Sequence, residues 1–177
     1  MGLLAAFFSS SVYANKGSIA FKNFELKARG ENRYVIDTQI RFQLSDYLRD
    51  SLREGVPIVN EIQINLVKNR LWWDKNENLA TITSLLKYHP LSQHYQVIQQ
   101  ESSESWNFKS LNMALRKMGL LRNYVLPQLS DATQGGKYRI SVYVSLRPDT
   151  FKFPMKVHAL FVNKYKIETT GVQWPLP

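Results

Sequence analysis

The chain has 177 residues, of which 44% are hydrophobic and 21% are charged, and it contains no cysteine. This length and composition fit one globular domain, and the lack of cysteine excludes disulfides, thiolate metal sites, cysteine nucleophiles and a lipid anchor on cysteine. The net charge of +9 is uneven, because residues 1–104 carry 12 Lys and Arg against 11 Asp and Glu, whereas residues 105–177 carry 11 against 3. This asymmetry predicts an anionic partner, unless the lysines only keep outer strand faces solvated.

The first fourteen residues, MGLLAAFFSSSVYA, have the character of an export signal. An apolar run spans residues 3–8, and Val12-Tyr13-Ala14 is a small-x-small-like pattern of the kind that signal peptidase recognises. No Lys or Arg precedes the run, so either translation starts upstream of Met1 or the signal is a poor one. A buried N-terminal strand or helix is the alternative. We expect cleavage after Ala14, a periplasmic or otherwise exported protein, and a single domain over residues 15–177.

Alternating apolar and polar residues predict an antiparallel hairpin at the start of this domain. Its strands cover Ser18–Ala28 and Tyr34–Leu44, with a turn at residues 29–32. A four-residue spacing of leucines then predicts a short helix over residues 45–54, which Ser45 caps and Gly55 ends.

The stretch from Val56 to Leu66 gives the central strand of the prediction. Its even positions are almost all apolar and its odd positions from Glu61 to Asn65 are polar, as in a strand with one face on a core. The apolar phase changes near Val67, which predicts a bulge or a crossover to a second sheet. Trp72-Trp73 follow, and adjacent strand residues point to opposite faces. We expect one of them in the core, with stacking on a sugar or peptide as the alternative.

The rest of the chain is predicted to be mostly strand, with a polar turn at residues 74–78 and an irregular stretch at residues 120–131. One helix is predicted at Ser110–Met118, which Ser110 caps and Gly119 ends. The predicted strands cover residues 79–88, 93–100, 106–108, 138–146, 157–161 and 165–168. The sequence therefore predicts a mainly β (α+β) fold, an antiparallel β-sandwich of about seven to eight strands with two short helices.

Several short motifs occur in a fixed order along the chain. They are Gly55-Val56-Pro57, Trp72-Trp73-Asp74, the run 86–92, the segment 108–119 and Trp174-Pro175. In this order and spacing the chain resembles the bacterial exported family catalogued as domain of unknown function 4390. The resemblance spans nearly the whole mature chain and implies a proteobacterial envelope protein with a signal peptide. It brings no activity and no functional residues.

The chemistry-bearing residues do not form a catalytic pattern. His89 and His94 flank a proline turn and could hold a metal together with Glu101, but their spacing matches no known ligand set. No Gly-x-Ser-x-Gly turn is present, and Gly135-Gly136 better fits a hairpin turn than a phosphate-binding loop. We therefore predict a protein that is not an enzyme, with no cofactor and no metal.

The candidate interaction surface is the basic C-terminal half of the chain. Its predicted residues are Arg147, Lys152, Lys156, Lys164 and Lys166. Basic side chains interleaved with aromatic ones can bind single-stranded nucleic acid, but no RNP-type motif is present. An exported location favours an envelope protein or an anionic membrane surface. An edge strand protected by lysines explains the same residues without a ligand.

The sequence thus favours a non-enzymatic envelope interaction module. The alternative is a periplasmic ligand-binding or sensory domain associated with a signalling partner, which needs a pocket between Trp72-Trp73 and the Ser110–Met118 helix. A hydrolase of envelope polymers is a third hypothesis. Oligomeric state and partner identity stay open at this point.

Overall fold

The computed structural model describes residues 15–30, 33–68, 75–127, 129, 138–149, 166–169 and 171–176. These ranges contain two helices, α1 (Asp46–Arg53) and α2 (Leu111–Met118), and ten strands. The strands are β1 (Ser18–Ala28), β2 (Tyr34–Gln43), β3 (Ile58–Lys68), β4 (Lys75–His89), β5 (His94–Gln99), β6 (Ser105–Phe108), β7 (Leu120–Val125), β8 (Tyr138–Pro148), β9 (Ile167–Glu168) and β10 (Val172–Pro175).

The strands form two antiparallel sheets. The small sheet has the order β1-β2-β7, and the seven-stranded sheet has the order β10-β8-β3-β4-β5-β6, with β9 also paired to β8. β3 lies at the centre of the large sheet and pairs along its whole length with both β4 and β8. The predicted mainly β sandwich with two short helices is confirmed. Among the ten described strands, β7 and β10 were not predicted, whereas the short β9 falls within the predicted strand at residues 165–168.

The core follows from the two-residue period of the long strands. In β3 the even residues Ile58, Ile62 and Ile64 are buried, whereas Gln63 on the other face is exposed. The same period in β8 buries its even residues from Ile140 to Leu146. These side chains join those of the small sheet in one hydrophobic cluster.

Both helices are capped as the sequence predicts. In α1 the Ser45 side chain accepts a hydrogen bond from the N–H of Leu48 at 3.2 Å, and Gly55 leaves the helix with a φ of 88°. In α2 the cap is Ser110, whose side chain accepts from the N–H of Met113 at 3.3 Å.

The two sheets are joined at both sides of the sandwich. On one side α2 packs against β2 of the small sheet and against β5 and β6 of the large sheet. On the other side Phe24 of β1 stacks on Trp174 of β10, with ring centroids 3.3 Å apart, and Phe21 meets the same indole edge-on at 5.8 Å. The placement of α2 matters most below, because it forms one wall of a groove.

Two predictions of irregular structure were wrong. Residues 120–125, expected to be irregular, form β7 and pair with β2. The left-handed backbone of Asn123, with a φ of 51°, and a shift in register break the alternation that would reveal a strand. Residues 75–78, expected to form a turn, instead extend β4 and pair with the end of β3. Their polar composition reflects their exposure and not their backbone conformation.

The change of apolar phase that the sequence shows near Val67 does not come from a bulge in β3. β3 pairs with β8 without any shift, and the bulge lies in β4, where Leu79 is the extra residue opposite Ile64 and Asn65. Val67 is only 2% exposed although it lies on the outer face of the sheet. Ser141, at an odd position of β8, is likewise fully buried.

Several predictions fall on parts of the chain outside the described residues. These are the export signal at residues 1–14, the turn at Gly135-Gly136, the strand at residues 157–161, and Trp72 and Trp73. Within the described part of the chain, no helix is long and apolar enough to cross a membrane.

Candidate functional site

An open groove with a volume of about 620 Å³ lies between the end of β2 and helix α2. Three elements contribute to it, since β1 supplies one side chain, β2 supplies five and α2 supplies three. The lining residues are Lys22, Gln39, Ile40, Arg41, Phe42, Gln43, Asn112, Leu115 and Arg116.

The exposed side chains of the groove are polar, and its apolar residues are buried beneath them. Alternation along β2 turns Ile40 and Phe42 toward the core, where they are 0% and 7% exposed, and turns Arg41 outward. Helical spacing does the same in α2, where Leu115 is buried and its neighbour Arg116 is exposed. The accessible side chains of the groove are therefore mainly charged and amide groups.

Lys22 reaches the groove through a defect in β1. The register of β1 against β2 shifts between Phe21 and Asn23, so Lys22 is the extra residue of a β-bulge. A bulge turns its side chain out of the regular alternation, which explains how a residue of the edge strand comes to line a groove formed mainly by β2 and α2.

The groove is positively charged. Lys22, Arg41 and Arg116 line it, and none of its nine residues is acidic. Ion pairs among the described residues involve other cations, such as Lys27, Arg53 and Lys166. A cleft lined by charges of one sign concentrates ions of the opposite sign. The arrangement favours an anionic occupant.

The groove also contains a strand edge. β2 pairs with β1 as far as Gln43, but it pairs with β7 only from Val35 to Gln39. The backbone N–H of Ile40 donates to the carbonyl oxygen of Gly119 at 2.7 Å. Beyond that bond, the strand partner of residues 41–43 within the described part of the chain lies on the β1 side only.

One end of this groove is closed by a side-chain amide. Nε2 of Gln39 donates to the carbonyl oxygen of Ile40 at 3.1 Å and to that of Arg116 at 3.2 Å. These two bonds use both hydrogens of the amide and tie the strand edge to the last turn of α2. The free edge therefore begins after Ile40 and runs toward the rim.

The family known as a domain of unknown function, DUF4390, matches residues 16–175 of the chain. The chain belongs to this family. The resemblance predicted from the ordered motifs is thus confirmed over nearly the whole domain. No curated protein and no solved structure matches the chain.

Two of the five residues predicted to form the basic surface of this DUF4390 chain, Arg147 and Lys166, lie among the described residues. Lys166 forms an ion pair with Glu168 at 2.6 Å, and Arg147 is half-buried in β8. The other three members, Lys152, Lys156 and Lys164, lie outside the described residues, as do Trp72 and Trp73. Of the two described members, one has its charge neutralised by a neighbouring carboxylate.

The two histidines of the predicted turn lie directly opposite each other. His89 and His94 are partners in the β4–β5 register, which the sequence alone does not fix. Nε2 of His89 lies 3.0 Å from Oε1 of Gln96, and Nδ1 of His94 bonds to the carbonyl oxygen of Ser92. Among the described residues, no group of three or more His, Cys, Asp or Glu side chains is arranged to hold a metal ion.

Sequence reasoning missed the groove because it counted charges along the chain. Lys22 and Arg41 belong to the balanced N-terminal part, and Arg116 lies far from both in sequence. One signal was present, since the apolar phase of β1 changes between Phe21 and Phe24 and so marks the bulge at Lys22. The position of α2 beside β2 had no such local signal.

Proposed function

We propose that this DUF4390 protein is an exported, non-enzymatic interaction module that binds an acidic partner protein through its basic groove. The observation that carries the proposal is the convergence of Lys22, Arg41 and Arg116 on one cleft whose lining has no acidic residue. Charge complementarity of this kind speeds association and selects against cationic partners.

The groups in the groove suit binding rather than proton transfer. Its polar side chains are lysine, arginine, glutamine and asparagine. Arginine stays protonated throughout the physiological range and presents a planar fork of donors to carboxylates. Amide side chains donate and accept hydrogen bonds without titrating. These groups hold an anion in place and offer no general base.

The shape of the site favours a polypeptide over a membrane surface. The cations line a concave cleft of about 620 Å³, and the apolar residues Ile40, Phe42 and Leu115 beside them are buried. A bilayer presents a broad surface that contacts an exposed face, whereas a peptide segment enters a groove and fills its base. Binding to anionic vesicles alone would favour the membrane.

Export is part of the proposal, and one contact supports it. The backbone N–H of Asn15 donates to Oδ2 of Asp46 at 2.8 Å, and the N–H of Asp46 donates to the carbonyl oxygen of Asn15 at 3.2 Å. Cleavage after Ala14 would convert this N–H into an ammonium group facing the same carboxylate, where charge strengthens the hydrogen bond.

Binding of polyglutamate to the purified protein tests the function, with vesicles of phosphatidylglycerol as the second probe. The test variant replaces the three groove cations by glutamine. A matched control with the same net charge replaces three exposed cations elsewhere, Arg29, Arg33 and Lys75. A third variant replaces the C-terminal set, Lys152, Lys156, Lys164 and Lys166.

We expect the groove variant to bind polyglutamate about tenfold more weakly, because three rim contacts of up to ~1 kcal/mol each are lost. The Arg29, Arg33 and Lys75 control should bind like the wild type. Equal losses in both would mean that only net charge matters, which contradicts a groove. A loss confined to the C-terminal variant would move the binding surface to that set.

The groove also gives some support to the second hypothesis, a ligand-binding sensory domain. Its volume of about 620 Å³ falls within the range of small-molecule sites, and α2 forms one wall. β1 and β2 form the other wall, and Trp72-Trp73, the second predicted boundary of such a pocket, lie outside the described residues. A rise in melting temperature with a small dicarboxylate, without binding of acidic peptides, would favour this alternative.

A further inference from the structure

We infer that the occupant of the groove is an extended acidic segment of a partner protein, which adds a strand to the free edge of β2 at residues 41–43. This inference rests on the proposed function and specifies the conformation and the sequence character of the partner. It follows from the coincidence of two features in one cleft: a strand edge and a set of cations, neither of which has a partner among the residues that the structure describes.

The backbone N–H and C=O groups of β2 alternate in direction along this edge. In an antiparallel sheet, the N–H and C=O of alternate residues point to the same side of the strand. The N–H of Ile40 points toward α2, where it donates to Gly119. The N–H and C=O of Phe42 therefore also point toward α2, into the groove.

Part of this edge of β2 already has hydrogen-bond partners. At Ile40 the edge is occupied by Gly119 and by the amide of Gln39. At residues 41–43 β7 no longer pairs with β2, and the lining of the groove replaces it. An added strand would thus begin opposite Phe42 and continue away from Gly119. Exposed edges of this kind are the template for strand addition.

The side chains of an added strand would lie in two different surroundings. Successive residues of a strand point to opposite faces. Beside β2, one set would lie near the outward Arg41 and the other near the buried Phe42 and Leu115. The preferred segment therefore alternates acidic with small apolar residues, as in a Glu-Val repeat. Cross-strand neighbours on one face interact favourably when their charges are opposite.

The experiment uses a fluorescent peptide of about eight residues in which Glu alternates with Val, long enough to span a typical strand. A second peptide has the same sequence with N-methyl groups on every second amide, and a third has these groups on the intervening amides. N-methylation removes hydrogen-bond donors along one edge of the strand and leaves the charge unchanged. Titrations are followed by fluorescence anisotropy, and amide exchange at Phe42 is followed by NMR.

We expect the unmodified peptide to bind, one of the two methylated peptides to bind about tenfold more weakly, and exchange of the Phe42 amide to slow on binding. The tenfold figure corresponds to the loss of one or two backbone hydrogen bonds. Equal affinity of all three peptides with unprotected Phe42 would overturn strand addition. If that affinity still depended on the groove cations, the proposed function would survive.

The remaining outcomes separate the two proposals further. Absence of peptide binding in the wild type, with unchanged binding of anionic vesicles in the groove variant, would overturn both. Tight binding of a helical acidic peptide with no protection at Phe42 would retain the acidic partner and reject its extended conformation. The Arg29, Arg33 and Lys75 variant serves as the charge-matched control in each titration.

Discussion

Gly119 lies against the carbonyl group of Ile40, so closely that a Cβ on residue 119 would collide with the carbonyl oxygen. The contact joins the end of α2 to the last residue of β2 that has partners on both sides. It fixes the position of α2 and hence the inner end of the groove. Glycine is required here because the two backbones approach closely. Its backbone conformation is not the reason, since a φ of −93° is open to any residue.

The first prediction is that Gly119→Ala destabilises the protein by about 1–3 kcal/mol, the usual cost of forcing an extra methyl group into a packed site. Gly55→Ala is the control, because Gly55 has no atom within 4 Å of an added Cβ and its cost comes only from its φ of 88°. Denaturant unfolding measures both. If Gly119→Ala unfolds at the wild-type midpoint, α2 does not contact β2 at this point.

A second prediction concerns Asn60, which is 0% exposed on the core face of β3. Neither its Nδ2 nor its Oδ1 has a hydrogen-bond partner within the described part of the chain. Burying an unpaired amide costs roughly 1–3 kcal/mol. We therefore expect Asn60→Val to raise the free energy of unfolding by about 1–2 kcal/mol.

The matched control for Asn60 is Asn65→Val in the same strand. Oδ1 of Asn65 accepts a hydrogen bond from Nδ2 of Asn78 at 3.0 Å, so its replacement breaks a contact and should bring no gain. Destabilisation by Asn60→Val in chemical denaturation would show that the buried amide is satisfied.

Asp37 gives a pH-dependent prediction. The backbone N–H of Asn123 donates to Oδ1 of Asp37 at 2.8 Å and lowers the pKa of that carboxyl, and Lys27 lowers it further. A carboxyl whose folded pKa lies below its unfolded value stabilises the fold above the unfolded pKa. This contribution is lost as the pH falls through the folded pKa.

We accordingly expect Asp37→Asn to lower stability at neutral pH and to converge with the wild type in strong acid. The control is Glu77→Gln, which removes an exposed carboxylate of β4. Urea unfolding of both variants across the acidic range measures the difference. A gap between Asp37→Asn and wild type that does not narrow as the pH falls would exclude a charge effect, because protonation of Asp37 removes the difference in charge between the two proteins.

The contact between Asn15 and Asp46 predicts an effect of maturation. In a protein that begins at Asn15, Asp46 faces an ammonium group instead of an amide N–H. Asp46→Asn should therefore destabilise this form by about 0.5–1 kcal/mol more than it destabilises the chain that begins at Met1. Comparing the two forms cancels the effect of Asp46 on the dipole of α1, because that effect is present in both.

Intact-mass analysis of the envelope fraction should find Asn15 as the first residue, and a product that starts at Met1 would contradict export.

Much of the fold was predictable because side-chain period reports directly on burial. The even positions of β3 and β8 face one core, and both helices begin and end at predicted caps. Where the backbone departs from regular alternation the prediction failed, as at the left-handed Asn123 in β7 and at the bulged Leu79 in β4.

The groove could not be predicted in the same way. It depends on a contact between Ile40 and Gly119, residues that are distant in the chain, and on a bulge that redirects Lys22. Counting charges along the sequence pointed instead to the C-terminal half. There the described Lys166 is paired with Glu168.

The binding preference of a charge-reversed groove tests the central claim most directly. The variant Arg41→Glu, Arg116→Glu is titrated with the Glu-Val peptide and with its Lys-Val counterpart, beside the wild type. We predict that the wild type prefers the Glu-Val peptide by about tenfold or more and that the variant prefers the Lys-Val peptide, since specificity here is set by opposite charges at the rim. An unchanged preference for the Glu-Val peptide in the variant would contradict the account, because it would place the anion-binding surface outside the groove.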